Sequence, residues 1–385
     1  MRTIYLDNSA STKVYPEVAE RMCETMLKDY GNPSAKHKMG VEAEQYYRES
    51  REEIAETLKV KEKEILFTSG GTESDNMALI GASFAKKKQG MHIISSAIEH
   101  PAIYKTLEFL EGQGFTVTIL PVDEEGHISL SDLEKAITKE TILVSIMTVN
   151  NEMGAVEDIH SIGERIKRKN PDCLFHTDAI QAYGKMILRP KKDKVDLLSV
   201  SGHKLHGPKG IGFLYIDEKV KIDPIVFGGG QQGGLRSGTL NIPGIAGIGL
   251  SAKMVYSDFS EKVEKLYTLK DYFIEELEKL PEVRVNSEKG KLSAPQIVSA
   301  SFYGVKAEVL LHALEEKGIY VSSGSACSSN HPGISGTLKA IGLGPKELDS
   351  TLRFSFSFFT EKRELTDTIE ALKELLPMLR KFYKA

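Results

Sequence analysis

The chain has 385 residues, 41% of them apolar and 27% charged, the balance of an ordinary globular protein that folds in water. Its 50 basic and 54 acidic side chains leave a net charge of -4, which argues against a nucleic-acid or anionic-membrane binder. Cys23, Cys173 and Cys327 are too few and too scattered for a disulfide framework, and no CxxC pair offers a zinc site.

At roughly 100–200 residues per domain, the length predicts two domains. The opening MRTIYLDNSAST lacks the apolar run of a signal peptide, and no segment approaches the ~20 apolar residues that span a bilayer. The expectation is a cytoplasmic chain with no membrane partner.

In chain order, short β-branched runs alternate with helix-period stretches from about residue 64 to 216. Strands are expected at Glu64–Thr68, His92–Ser95, Thr116–Pro121, Thr141–Val149, Cys173–Thr177, Asp196–Ser199 and Gly212–Ile216. Helices are expected between several of them, as at Thr72–Lys87 and Pro101–Gln113. This alternation predicts an α/β domain with a mostly parallel sheet. Gly228 to Gly238 then form a loop with six glycines. One long helix, roughly Gly244–Leu280, is expected to bridge two domains. Beyond it, strands at Gln296–Phe302, Tyr320–Ser322 and Thr351–Phe356, with helices at Lys306–Lys317 and Glu364–Phe382, predict a smaller α+β domain.

Four stretches could carry chemistry. In EILFTSGGTESDN a strand runs into Gly70-Gly71 and a helix opens near Thr72. It is either a simple capped turn or a place where backbone amides meet an anion. In FHTDAIQ, Asp178 ends an apolar strand, where α/β folds place ligand groups; it is either a helix cap or the partner of a cationic ring nitrogen. Lys204 lies between two apolar strands beside Ser201, His203 and His206. It is either a surface lysine or a desolvated amine suited to Schiff-base chemistry. Cys327 sits in GIYVSSGSACSSNHPGIS, whose Ser, Gly and Asn content predicts a mobile exposed loop. There a cysteine is a nucleophile more readily than a buried hydrophobe. Cys23 and Cys173 read as structural. An anion-binding turn, a strand-end acid and a strand-flanked lysine together make the parts list for pyridoxal phosphate.

The chain resembles the cysteine desulfurases, in the group I (NifS/IscS-like) branch of the class V aminotransferase superfamily. The likeness runs through ordered blocks over nearly the whole chain: YLDNSAST (Tyr5–Thr12), YGNPSAKHKMG (Tyr30–Gly40), FTSGGTESDN (Phe67–Asn76), EHP (Glu99–Pro101), VNNEMG (Val149–Gly154), FHTDAIQAYGK (Phe175–Lys185), SGHKLHGPKGIGFLY (Ser201–Tyr215), RSGTLN (Arg236–Asn241), SSGSACSS (Ser322–Ser329) and LRFS (Leu352–Ser355). SSGSAC marks the group I branch.

The resemblance implies fold type I of the pyridoxal phosphate-dependent transferases. Residues 14–260 would form a large α/β domain with a mostly parallel seven-stranded sheet. Residues 1–13 and 261–385 would form the small domain carrying the cysteine loop. Lys204 would take up the cofactor aldehyde and later shuttle a proton. His100 would stack on the ring, Asp178 would face its nitrogen and Gln181 its hydroxyl. Gly71 would line the cofactor, while Thr72, Ser201 and His203 would hold its phosphate, with Thr239 reaching it from a partner subunit. A homodimer follows from that last role. Arg353, assisted by Asn151, would bind the carboxylate of L-cysteine, and Cys327 would take its sulfur as a persulfide, leaving alanine. The acceptor would be an iron–sulfur scaffold or a tRNA thiolation enzyme. No metal site is expected.

An aminotransferase or a selenocysteine lyase on the same scaffold is the alternative, and a silent partner of a sulfur-transfer assembly a third reading. SSGSAC argues against transamination, which needs no loop nucleophile, and the intact Lys204, Asp178, His100 and Cys327 argue against a silent copy. Departures from the family pattern, at Ser9, Ser11, Gln232 and Leu240 and in SFSFFT, are expected to lie away from the residues that touch cofactor and substrate.

Overall fold

The computed structural model describes residues 3–323 and 335–383; Cys327 therefore lies outside the described residues. The strands are β1 (Ile4–Tyr5), β2 (Ile65–Thr68), β3 (His92–Ser96), β4 (Thr116–Leu120), β5 (Thr141–Ser145), β6 (Leu174–Asp178), β7 (Leu197–Ser201), β8 (Gly212–Ile216), β9 (Val283–Val285), β10 (Ile297–Phe302), β11 (Ile319–Tyr320), β12 (Ser322–Ser323) and β13 (Thr351–Ser355).

Seven of them make one sheet in the order β2-β8-β7-β6-β5-β3-β4. Only β8 runs against its neighbours; β7, β6, β5, β3 and β4 pair in parallel. Alternate strand residues point to opposite faces, and both faces are covered. Phe67, Val144, Phe175, Val200 and Phe213 pack into a core on one side, which also takes residues of the helices Lys38–Leu58 and Ile242–Tyr256. Leu66, Leu143, Leu174, Leu197 and Leu214 pack into a second core with Met77, Ala78 and Leu107 on the other. Double burial explains why these strands read as continuous apolar runs rather than as alternating ones. Because β2 and β7 each run against β8, β2 is parallel to β7, and β2, β3, β5, β6 and β7 all end at one edge.

The second sheet, β12-β13-β10-β9, is antiparallel throughout. It packs against the helices Phe259–Glu278, Ala307–Glu316 and Lys362–Tyr383 in a separate core. There the Phe273 ring sits 5.0 Å from that of Phe354 and 5.7 Å from that of Phe356, both edge-on. Such pairs add to the ~1.5–3 kcal/mol gained by burying each apolar side chain. Ile4 and Leu6 belong to this core as well, and β1 pairs with β11.

Three local expectations are corrected. The helix expected over Gly244–Leu280 is two, Ile242–Tyr256 and Phe259–Glu278. Ser257 leaves the helix in an extended conformation and Asp258 is left-handed at φ 46°, so two periodic faces meet at a break that leaves no gap in the hydrophobic pattern. The strand expected over Thr141–Val149 ends at Ser145, although the Ile146 and Thr148 amides still donate to the carbonyls of His176 and Asp178. The run Tyr320–Ser322 divides between β11 and β12, which serve different sheets.

Candidate active site

The shared edge of β2, β3, β5, β6 and β7 opens on a cavity of about 140 Å³ lined by Gly71, Thr72, His100, Asp178, Lys204 and Arg353, among others. Each strand end delivers one component. After β2, Gly70 adopts φ 153° and Gly71 begins the helix Gly71–Lys86. A Cβ on Gly71 would lie 2.2 Å from Ile180 Cδ1, so a larger residue where this helix starts would push the Ile180 side chain aside. The helix thus presents its unpaired first-turn amides and the Thr72 hydroxyl at the cavity, the positive end of its dipole. Glu73 in that turn is held by Arg236, with Nε to Oε1 at 2.7 Å, and accepts the Ser69 amide at 2.8 Å. The glycine-rich loop is thereby fastened to the anion-facing turn.

β3 leads to His100, which caps the helix Pro101–Gly112: its Nδ1 accepts the Ala102 amide at 3.1 Å, with Pro101 in the first turn. An accepting Nδ1 places the ring proton of the neutral imidazole on Nε2. Burial and the positive charge of Lys204 pull His100 down to about 4, so the ring is neutral near pH 7. β6 ends on Asp178, whose Oδ1 accepts the Ile180 amide at 2.9 Å. No helix follows; Asp178 caps a turn and its carboxylate lines the cavity. Burial pushes Asp178 up to about 6, against the pull of the Ile180 amide and Lys204. Three residues on, Gln181 Nε2 donates to the Ser9 carbonyl at 3.0 Å.

β7 ends on Ser201, and one turn of 3₁₀ helix, Gly202–Lys204, brings His203 and Lys204 to the cavity. Lys204 Nζ donates to the Ala10 carbonyl at 3.0 Å and to the Ser9 carbonyl. His203 is drawn down to about 4, by burial first and then by Lys204, Lys209 and Lys185.

From the second sheet, Arg353 of β13 reaches across with 4% of its surface exposed. Its Nη1 donates to the Asn151 carbonyl at 2.9 Å and its Nη2 to Asp7 Oδ1 at 2.8 Å, while buried Nε has no partner among the described residues. Ser201, His203, Gln181 and Asn151 also line the cavity. Thr239 does not: it is exposed on the loop before the helix Ile242–Tyr256.

Sequence reasoning overlooked Asp7, Met147 and Ile180, and it misplaced Ser9. That residue was expected to lie away from the site, yet it lines the cavity, its carbonyl accepts from both Lys204 and Gln181, and its buried Oγ has no partner among the described residues. A backbone carbonyl carries no residue-type signature, so only the fold could reveal it. Gln232, another departure, bonds both backbone groups of Phe67 at 2.8 Å and so covers part of the β2 edge. Beneath the cavity, His176 is held by Ser145 at 2.9 Å and Ser199 at 3.0 Å. Glu99 Oε1 accepts from Ser96 Oγ at 2.6 Å and from the Met147 amide at 2.9 Å.

Among known proteins, the family model described as Aminotransferase class-V matches residues 4–367, which sets the class. The cysteine desulfurase IscS of Clostridium botulinum is 42% identical over 381 residues, covering 98% of this chain and 96% of the relative. A solved NifS-like protein superposes with a TM-score of 0.93 at 35% identity, covering 98% of this chain and all of the other. A structure described as SspA in complex with cysteine gives 0.82 at 35% identity, over 93% of this chain and 100% of that one. The chain belongs to the cysteine desulfurases of the class V aminotransferase family.

Proposed function

We propose that this desulfurase holds pyridoxal 5'-phosphate in the cavity and converts L-cysteine to L-alanine, keeping the sulfur as a persulfide on Cys327. One observation carries the reading: an amine, a buried carboxylate, a neutral imidazole and a buried guanidinium meet in one cavity. The donor set fits the group. The first-turn amides beside Gly71, with Thr72, Ser201 and His203, suit its phosphate. Asp178, buried with a backbone amide as its partner in the turn, suits a protonated ring nitrogen, and Gln181 suits the ring hydroxyl. His100 would lie against the ring. When bound, the cofactor supplies an aldehyde for the substrate amine and a sink for electrons from its α-carbon.

The chain's own residues do the rest. Arg353 and Asn151 take the substrate carboxylate, as a fork and an amide donor. Lys204, held by the Ser9 and Ala10 carbonyls, moves a proton to and from the substrate carbon. Neutral His100, with its proton on Nε2, assists as acid and base. Cys327 as thiolate attacks the substrate sulfur; an S–S bond forms, the substrate C–S bond breaks, and the carbon regains a proton. Cysteine plus one thiol gives alanine plus one persulfide, so no external oxidant or reductant enters. The persulfide would pass to an iron–sulfur scaffold or a tRNA thiolation enzyme.

Two separate cores support a division into residues 14–260 and residues 1–13 with 261–385. The exposed Thr239 supports a homodimer in which it completes the partner's phosphate site. A reducing cytoplasm suits a free nucleophilic thiol.

The purified protein, loaded with pyridoxal phosphate, should release alanine from L-cysteine, and sulfide once a reductant is added. Cys327→Ala should lose turnover and keep the visible band of the lysine-bound cofactor; Lys204→Ala should lose that band. Turnover retained in Cys327→Ala would sink the persulfide route. Amino-group transfer to a keto acid, or strong preference for selenocysteine, would replace the reading by the aminotransferase or the lyase.

A further inference from the structure

A second lysine is buried behind Lys204. Lys185 ends the turn that follows Asp178, is 7% exposed, and donates its Nζ to the backbone carbonyl of Lys204. That carbonyl is its acceptor among the described residues, and no carboxylate bears on its charge. The charged and titratable groups that face it come from the turn after β7: Lys204, His203 and His206. Burial, then the like charge of Lys204, bring Lys185 down to about 7, while both histidines fall to about 4 and stay neutral.

The turn that carries this lysine is tightly packed. Tyr183 is fully buried, and the Gly184 amide donates to Tyr256 Oη at 3.0 Å. A Cβ on Gly184 would come 3.2 Å from Val255. An ammonium in such a place is costly without a counterion; a methionine would fill the space with no such cost. What the lysine gains there is a grip on the main chain of Lys204.

We propose that Lys185 is a positioning residue for Lys204: its hydrogen bond fixes the backbone of the reactive lysine, and its ammonium sets a second positive charge against the reactive amine. A like charge nearby disfavours protonation of the Lys204 nitrogen, free or joined to the cofactor, and so keeps the amine nucleophilic near neutral pH. The inference rests on Lys204 being the residue that carries the cofactor.

The experiment is a pH titration of the visible band of the lysine-bound cofactor in the loaded protein. Lys185→Gln keeps a donor for the carbonyl and removes the charge, Lys185→Met removes both, and Lys185→Arg keeps the charge. The midpoint should move up by about one pH unit in Lys185→Gln, a tenfold gain in proton affinity. It should move likewise in Lys185→Met, and in Lys185→Arg, which is charged at every pH, it should lie at or below the wild-type value. A wild-type midpoint in whichever uncharged variant melts normally would overturn the inference alone, as would an equal shift in Lys185→Arg. A wild-type protein with no such band, or Lys204→Ala with a normal one, would overturn the cofactor reading and this inference with it.

Discussion

Glu99 offers a test of the electrostatics beneath the site. It is 4% exposed, and one oxygen accepts from Ser96 Oγ and the Met147 amide while buried Oε2 has no partner among the described residues. Burial pushes its carboxyl from an ordinary 4.5 up to about 8, against the pull of those two donors. The folded chain therefore holds a proton that the unfolded chain releases above about 4.5. Stability from this group is fully present below that pH and is lost as the pH rises through 8. At ~1.4 kcal/mol per pH unit the loss reaches about 3 kcal/mol at pH 7 and about 5 kcal/mol above pH 8.

Glu99→Gln reproduces the protonated side chain and does not titrate. It keeps an oxygen for both donors. With ~2.1 cal/mol/K of unfolding entropy per residue, a chain of this length gains about 1.2 °C per kcal/mol. Thermal unfolding of the cofactor-free protein should show both forms melting within about 1 °C at pH 5. The variant should melt about 4 °C higher at pH 7 and about 6 °C higher at pH 8.5. A difference that stays constant over that range would refute the argument, since it would mean Glu99 is ionised in the fold at every pH tested.

Other perturbations address the cavity itself. Arg353→Lys keeps the charge but cannot hold the Asn151 carbonyl, Asp7 and a carboxylate at once. With ~1.5–3 kcal/mol per hydrogen bond to a charged group, kcat/KM for L-cysteine should fall roughly 10–100-fold, chiefly through KM; a change under twofold would remove Arg353 from substrate binding. Asp178→Asn keeps an acceptor for the Ile180 amide and removes the charge, so cofactor retention after dialysis should drop while the cofactor-free protein melts no lower. Equal cofactor affinity in the variant would refute the ring-nitrogen role. Phe273→Ala empties the centre of the second core and should cost ~3–5 kcal/mol, read as a fall in the thermal midpoint.

The sheet was legible in the sequence because its strands are buried on both faces and read as apolar runs. The strand-end residues were legible because chemistry demands particular side chains there. The break at Asp258 was not, since hydrophobic periodicity continues on both sides of it and a left-handed residue other than glycine leaves little trace. Nor was Ser9, which serves Lys204 and Gln181 through its carbonyl, a group every residue owns. Lys185 and Glu99 stand inside recognisable blocks, but burial alone makes them different from surface lysines and glutamates, and burial is a property of the fold. Asp7 escaped because its partner, Arg353, is 346 residues away.

That separation bears on how the protein is made. Ser9, whose carbonyl receives Lys204, is translated long before Ser355, yet its amide is held by Ser355 Oγ at 2.8 Å, and Asn8 Nδ2 donates to the Ser355 carbonyl at 2.9 Å. The strand that fixes this segment is thus translated only after every strand of the large sheet. A nascent chain can complete the large sheet with Lys204 in place long before the carbonyls that steady that lysine are anchored. A steadied Lys204 amine therefore awaits translation of β13, and a truncated chain ending before β13 should fold around its large sheet without that support.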